Sequence, residues 1–149
     1  MHRFVLVAVL LSGVPALAGE YSPTLAAAIK ERRDACAEQG GRSTAGANFI
    51  RRIDLDGDGR DDFILDDGQF RCSKGAPGWC GSGGCSVEVF LAKPDGDAKS
   101  ILTELGGGYA VTKTARGATL TVRTRGGPVT YRFADGCAIP VKGGGERSC

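Results

Sequence analysis

Ile53-Asp54-Leu55-Asp56-Gly57-Asp58-Gly59-Arg60-Asp61-Asp62-Phe63 is the stretch on which the fold turns. Acidic side chains recur at Asp54, Asp56, Asp58 and Asp62, the first, third, fifth and ninth positions of one loop. Gly57 and Gly59 sit between them, where the chain must turn back on itself. Outside the loop, Asn48-Phe49-Ile50-Arg51-Arg52-Ile53 and Phe63-Ile64-Leu65 are short runs of β-branched and aromatic residues. Such runs fit a half-buried pleated surface and are too short for packed helices. The loop therefore reads as joining two strands.

Its chemistry is that of a hard cation site. Ca²⁺ takes six to eight oxygens at about 2.3–2.6 Å, and a tight loop of alternating carboxylates supplies them. Arg60, at position seven, would add its backbone carbonyl while its side chain points to solvent. Gly59, at position six, would take the sharp bend. These residues resemble a DxDxDG calcium loop. An EF-hand would need a bidentate Glu at position twelve, where this chain has Leu65, and helical flanks. With Asp62 at position nine, the loop is similar to the FG-GAP or VCBS kind, which closes its shell between two strands. The resemblance covers about fifteen residues and occurs once, so it implies a metal loop and no repeated propeller. The plain alternative is an acidic solvent turn without metal. Seven acids between Asp54 and Asp67 favour the cation, because their repulsion would strain a compact loop.

Residues 1–18 read as a secretory signal peptide: Arg3 supplies the positive region, Phe4 to Leu11 the apolar run, and Ala16-Leu17-Ala18 the cleavage site. The expected mature chain, 19–149, is one domain with no later segment long enough to insert in a membrane, and it is periplasmic or secreted. Cleavage removes His2, the only histidine, which excludes Ser-His and Cys-His catalysis and histidine-ligated zinc. Without Arg3 the chain has 18 basic residues against 17 acidic ones. A nucleic-acid binder would carry a larger basic excess and interleaved aromatics.

Six cysteines in an exported chain favour three disulfides, although six allow 15 connectivities. The preferred pairs are Cys80–Cys85, closing a glycine-rich loop, Cys36–Cys72, tying a helix to a sheet, and Cys137–Cys149, anchoring the tail. A zinc or redox site is the alternative, but Cys80-Gly-Ser-Gly-Gly-Cys85 is not a CxxC motif.

Ser22-Pro23-Thr24-Leu25 is a helix start, with Ser22 as cap and Pro23 in the first turn. The helix should run to about Gln39, before Gly40-Gly41. Leu25, Ile29 and Cys36 fall on one arc and point inward; Arg32 and Arg33 interrupt it and are expected to snorkel. Between Cys72 and Cys85 the chain lacks periodicity. Trp79 there is either tucked onto the core or an exposed recognition tip. From Val87 onward apolar and polar residues alternate in four or five strands joined by short turns. Arg123, Arg125 and Arg132 are expected on their solvent face, either as plain soluble surface or as an anion-binding patch. Asp95-Gly96-Asp97 is too sparse for a second calcium site.

The expected fold class is α+β, an N-terminal helix packed on an antiparallel β-sheet meander and stapled by disulfides. The expected function is a calcium-binding interaction module whose partner is an envelope or extracellular protein or glycan. Two other readings stay open. One is a periplasmic inhibitor of an envelope hydrolase; the other is a hydrolase using carboxylates alone, for which Glu88, Glu104 and Asp135 are the scattered candidates.

Overall fold

In the computed structural model, residues 21–75 and 78–149 are described. The signal-peptide reading over 1–18, with His2 and Arg3, lies outside them, as does Pro77. The first described element is α1 (Pro23–Glu38), capped by the Ser22 hydroxyl, which accepts from Leu25 N at 3.3 Å. Pro23 occupies the first turn, where its missing N–H is no loss. Among the described residues eleven strands follow: β1 (Ser43–Ala45), β2 (Ile50–Ile53), β3 (Asp62–Asp66), β4 (Phe70–Cys72), β5 (Cys80–Gly81), β6 (Gly84–Ala92), β7 (Ala98–Gly106), β8 (Tyr109–Thr114), β9 (Gly117–Thr124), β10 (Gly127–Ala134) and β11 (Cys137–Lys142). The class is α+β, antiparallel and disulfide-rich.

The strands divide among three sheets. β2, β3, β6 and β5 lie in one, with β7 on the other side of β6; β11, β10, β9 and β8 form a second; β1 and β4 pair alone. Each alternating run identified in the sequence lies in a strand, and β11 adds one it did not mark. The larger sheets share a core of Ile64, Val87, Val89, Leu91, Leu120, Val122, Val129 and Phe133, among others. A second core lies beneath α1, where Leu25, Ile29 and Cys36 meet Phe63, Leu65 and Phe90. The result is three layers: helix, five-stranded sheet, four-stranded sheet.

β3 shows how the layers arise. All five of its residues are buried, and its alternation sends Phe63 and Leu65 to the helix side and Ile64 to the sheet side. β6 does the same, with Val87, Val89 and Leu91 in the inter-sheet core and Phe90 under the helix. Glu88 therefore also projects beneath α1, where Arg32 meets it at 3.0 Å.

Arg32 does not snorkel. It is 3% exposed and lies in the buried stripe with Leu25, Ile29 and Cys36. Its guanidinium donates to both oxygens of Asp67 at 3.0 Å and to Glu88 at 3.0 Å, while Ser100 donates to the other Glu88 oxygen. Burial opposes the charge on both Arg32 and Asp67 and pushes the Asp67 carboxyl upward; the two carboxylates keep the guanidinium charged. Arg33, by contrast, is exposed.

The three disulfides are Cys36–Cys72, Cys80–Cys85 and Cys137–Cys149, the preferred set, and no described cysteine is free. Cys36–Cys72 ties α1 to β4. Three such bridges fit an oxidising extracellular or periplasmic environment. Among the described residues, no helix is long and apolar enough to cross a membrane.

Candidate metal centre

The Asp54–Asp61 loop joins β2 to β3, which pair antiparallel from Ile50↔Leu65 to Ile53↔Asp62. Carboxylate oxygens of Asp54, Asp56 and Asp58 lie within 4.8 Å of one another. The loop curls around its own acids. Asp54 accepts Gly57 N at 2.7 Å and Gly59 N at 3.0 Å; Asp56 accepts Asp58 N at 3.1 Å; Asp58 accepts Arg60 N at 2.7 Å. These turns are what short acidic side chains make with the backbone that follows them. Partial burial pushes the Asp56 carboxyl upward, and Asp58 and Asp54 repel its charge against the pull of the Asp58 N–H and of Arg60.

The loop is seated on the second sheet. Leu55 is fully buried in the inter-sheet core, and its carbonyl accepts Ala118 N from β9 at 2.9 Å. Gly57, at φ 79°, lies so close to the β8–β9 turn that a Cβ would come within 2.9 Å of the Arg116 carbonyl carbon. The backbone of the loop is thus held from both sides while three of its carboxylates face one another.

Asp62 stands apart from that group. It is fully buried, with one oxygen accepting Leu55 N at 2.7 Å and the other Ala92 N at 2.8 Å. Burial pushes its carboxyl up to about 6, against the pull of the Ala92 and Leu55 N–H groups and with a further rise from Asp56 and Asp58. Its evident work is to stitch the loop to the end of β6. The Arg60 side chain is exposed, as expected, and its guanidinium also pairs with Asp58.

The remaining acids of the stretch have separate partners. Asp61 lies 3.8 Å from Arg52, Asp66 accepts Gly68 N at 2.9 Å, and Asp67 holds Arg32. The repulsion inferred from seven neighbouring acids therefore centres on Asp54, Asp56 and Asp58 and reaches Asp62.

The other candidate residues are dispersed. Trp79 is half-buried, with the Arg32 guanidinium over its ring at 5.0 Å, and with α1 it walls a shallow cleft of about 550 Å³. Its place is against the helix rather than at a projecting tip. Arg123 and Arg132 are both exposed, but Arg123 pairs across from Pro128 and Arg132 from Thr119, four residues apart along the ladder. Arg123 and Arg132 thus lie on the outward face, as expected, four rungs apart, and Arg125 lies just beyond the strand end, in the β9–β10 turn. Glu88 is held by Arg32, the Tyr131 hydroxyl donates to Glu104, and Asp135 sits in the β10–β11 turn at φ 55°.

Sequence reasoning missed the Arg32–Asp67–Glu88 cluster, because its members come from three elements. One signal was available: Arg32 sits on the same arc as Leu25, Ile29 and Cys36, and an arginine on an apolar stripe implies a buried acid. Comparison with known proteins finds no matching family model, no matching curated protein and no matching solved structure.

Proposed function

We propose that this chain is an exported, calcium-binding, disulfide-stabilised interaction module, with a loop of the FG-GAP or VCBS kind. The observation that supports it is the convergence of Asp54, Asp56 and Asp58 in a loop clamped between two sheets. The donor set suits a hard cation, being carboxylate oxygen throughout, with no sulfur or imidazole. Asp54, Asp56 and Asp58 would hold Ca²⁺, with the Arg60 carbonyl. A carboxylate oxygen has two lone pairs, so Asp62 can keep its N–H partners and still contribute. A divalent ion would compete with the Arg60 guanidinium for Asp58, which limits affinity.

The ion's work in this reading is structural. It neutralises three facing carboxylates and holds the β2–β3 connection against the β8–β9 turn, so the surface formed by the two sheets keeps one shape. The partner is an envelope or extracellular protein or glycan bound on that surface.

The test is a pair of thermal melts, in calcium and in chelator, with elemental analysis of protein held in calcium. An extracellular module of this type has a Kd of about 0.1–1 mM. At about 1 mM calcium and the tighter end of that range, linkage gives about 1.4 kcal/mol of stabilisation. Superimposable melts and no bound metal would refute the site.

A further inference from the structure

A cleft of about 590 Å³ opens between the outer strands of the two large sheets, β2 on one wall and the start of β8 on the other. Its lining includes Arg51, Arg123, Tyr109, Asp66, Asn48 and Gln69. The calcium loop contributes nothing to it.

One of its arginines is placed, not merely exposed. Arg123 folds back so that its Nη2 donates to the Gly107 carbonyl at 2.9 Å. Gly108 makes room for this: a Cβ there would come within 2.7 Å of Arg123 Nη2. The Arg123 guanidinium is thus oriented by a neutral carbonyl, which fixes its direction without cancelling its charge. From the opposite sheet, Arg51 lines the same cleft together with Tyr109. Each arginine keeps N–H donors in the planar fork that matches a carboxylate.

The rest of the lining narrows the ligand. Asp66 is a fixed acid in the same cleft, so a bare anion would meet repulsion there, whereas a ligand with hydroxyl donors would not. Asn48 and Gln69 offer amides that both donate and accept. A docked peptide strand is usually read by apolar pockets for alternate side chains. Here Ile50 is the single aliphatic side chain larger than glycine in the lining, so that mode is poorly served. We propose that this cleft binds an acidic saccharide, its carboxylates on Arg51 and Arg123 and its hydroxyls on Asp66, Asn48 and Gln69.

The test uses the full, oxidised chain in calcium, with hexagalacturonate as probe and amide chemical shifts as readout. Maltohexaose is the neutral comparator and hexaglutamate the acidic peptide comparator. Hexagalacturonate should shift the amides of Arg51, Gly107, Gly108, Tyr109 and Arg123, and its affinity should fall with added salt. Arg51→Gln and Arg123→Gln should each weaken it by about tenfold or more, as loss of a charged hydrogen-bond donor does. Lys142→Gln, on β11, should leave it unchanged. Equal binding of maltohexaose overturns the charge assignment, and equal or tighter binding of hexaglutamate overturns the saccharide class. No binding of hexagalacturonate, shifts confined to other regions, or full affinity in both folded arginine variants overturns the site. If a variant fails to fold, the shift map of the parent protein decides alone.

Discussion

The Asp54–Asp58 loop and the Arg32–Asp67–Glu88 cluster are both built on carboxylates, and they differ in what answers the charge. In the cluster a buried guanidinium meets both oxygens of Asp67 and one of Glu88. In the loop three carboxylates converge on one another, with backbone N–H groups and one exposed arginine as their partners. The first is an electrostatically closed unit that pins α1 to the five-stranded sheet. The second leaves like charges facing one another, which the proposed cation would neutralise. Two acids near in sequence can thus serve opposite ends, because pairing depends on what the fold carries to them.

Breaking the closed unit should have the largest effect. Arg32→Ala leaves Asp67 and Glu88 facing each other beneath the helix, and loss of one partner from a buried pair costs about 3–5 kcal/mol. Denaturant titration should show this in calcium and in chelator alike. Replacing Arg32, Asp67 and Glu88 together by apolar residues should cost less than Arg32→Ala alone, because no charge is stranded.

Removing the covalent tie beside that unit comes next. Replacing Cys36 and Cys72 together by alanine opens a bridge spanning 36 residues and should cost about 3–4 kcal/mol on the chain-entropy account. The loss should again be independent of calcium. If it varied with calcium, the helix layer and the loop would be coupled and the contrast between them weaker than drawn.

The open region should respond the other way. Asp58→Asn keeps a side-chain acceptor for Arg60 N but removes one of three facing charges. In chelator its melt should match or slightly exceed the parent's, while the calcium increment of about 1.4 kcal/mol disappears. A melt lowered equally in both conditions would make Asp58 a structural acid like Asp67.

The smallest expected effect concerns Asp97, a surface acid with its valences already filled. Its carboxylate accepts Thr24 N and Thr24 Oγ1 at 2.9 Å and Ala98 N at 2.8 Å, tying the start of α1 to β7. The Thr24 and Ala98 N–H groups hold its pKa below the ordinary 3.8. The sign follows from linkage: the contribution is present above 3.8 and is lost as pH falls through the lowered value. Asp97→Asn should therefore lower the urea midpoint near neutral pH, with the gap closing in acid. A gap constant with pH would mean that the charge contributes nothing.

Much of the fold was legible from local chemistry. Ser22 and Pro23 mark a helix start because capping is decided within one turn, and Gly40 and Gly41 follow its end for the same reason. Alternation at Val87, Val89 and Leu91 marks a strand, because the pleat has a period of two. The strand–loop–strand setting of the Asp54–Asp62 stretch was legible from its short β-branched flanks. Less was legible of the candidate sites. Arg51 and Tyr109 carry no mark in sequence, and the cleft they line exists only because two sheets place their outer strands side by side.

The sequence by itself determined the element types, the cysteine count that makes three bridges possible, and a loop whose aspartates fall at alternate positions. Those follow from periodicity, capping and spacing, which act over a few residues. Tertiary structure alone decided that most of the strands split between two stacked sheets, that Arg32 is buried on Asp67 and Glu88, and that Asp62 is buried with its oxygens on the Leu55 and Ala92 N–H groups. The physical reason is one of range. A carboxylate's state depends on the charges and donors within a few ångströms, and folding draws those from anywhere along the chain.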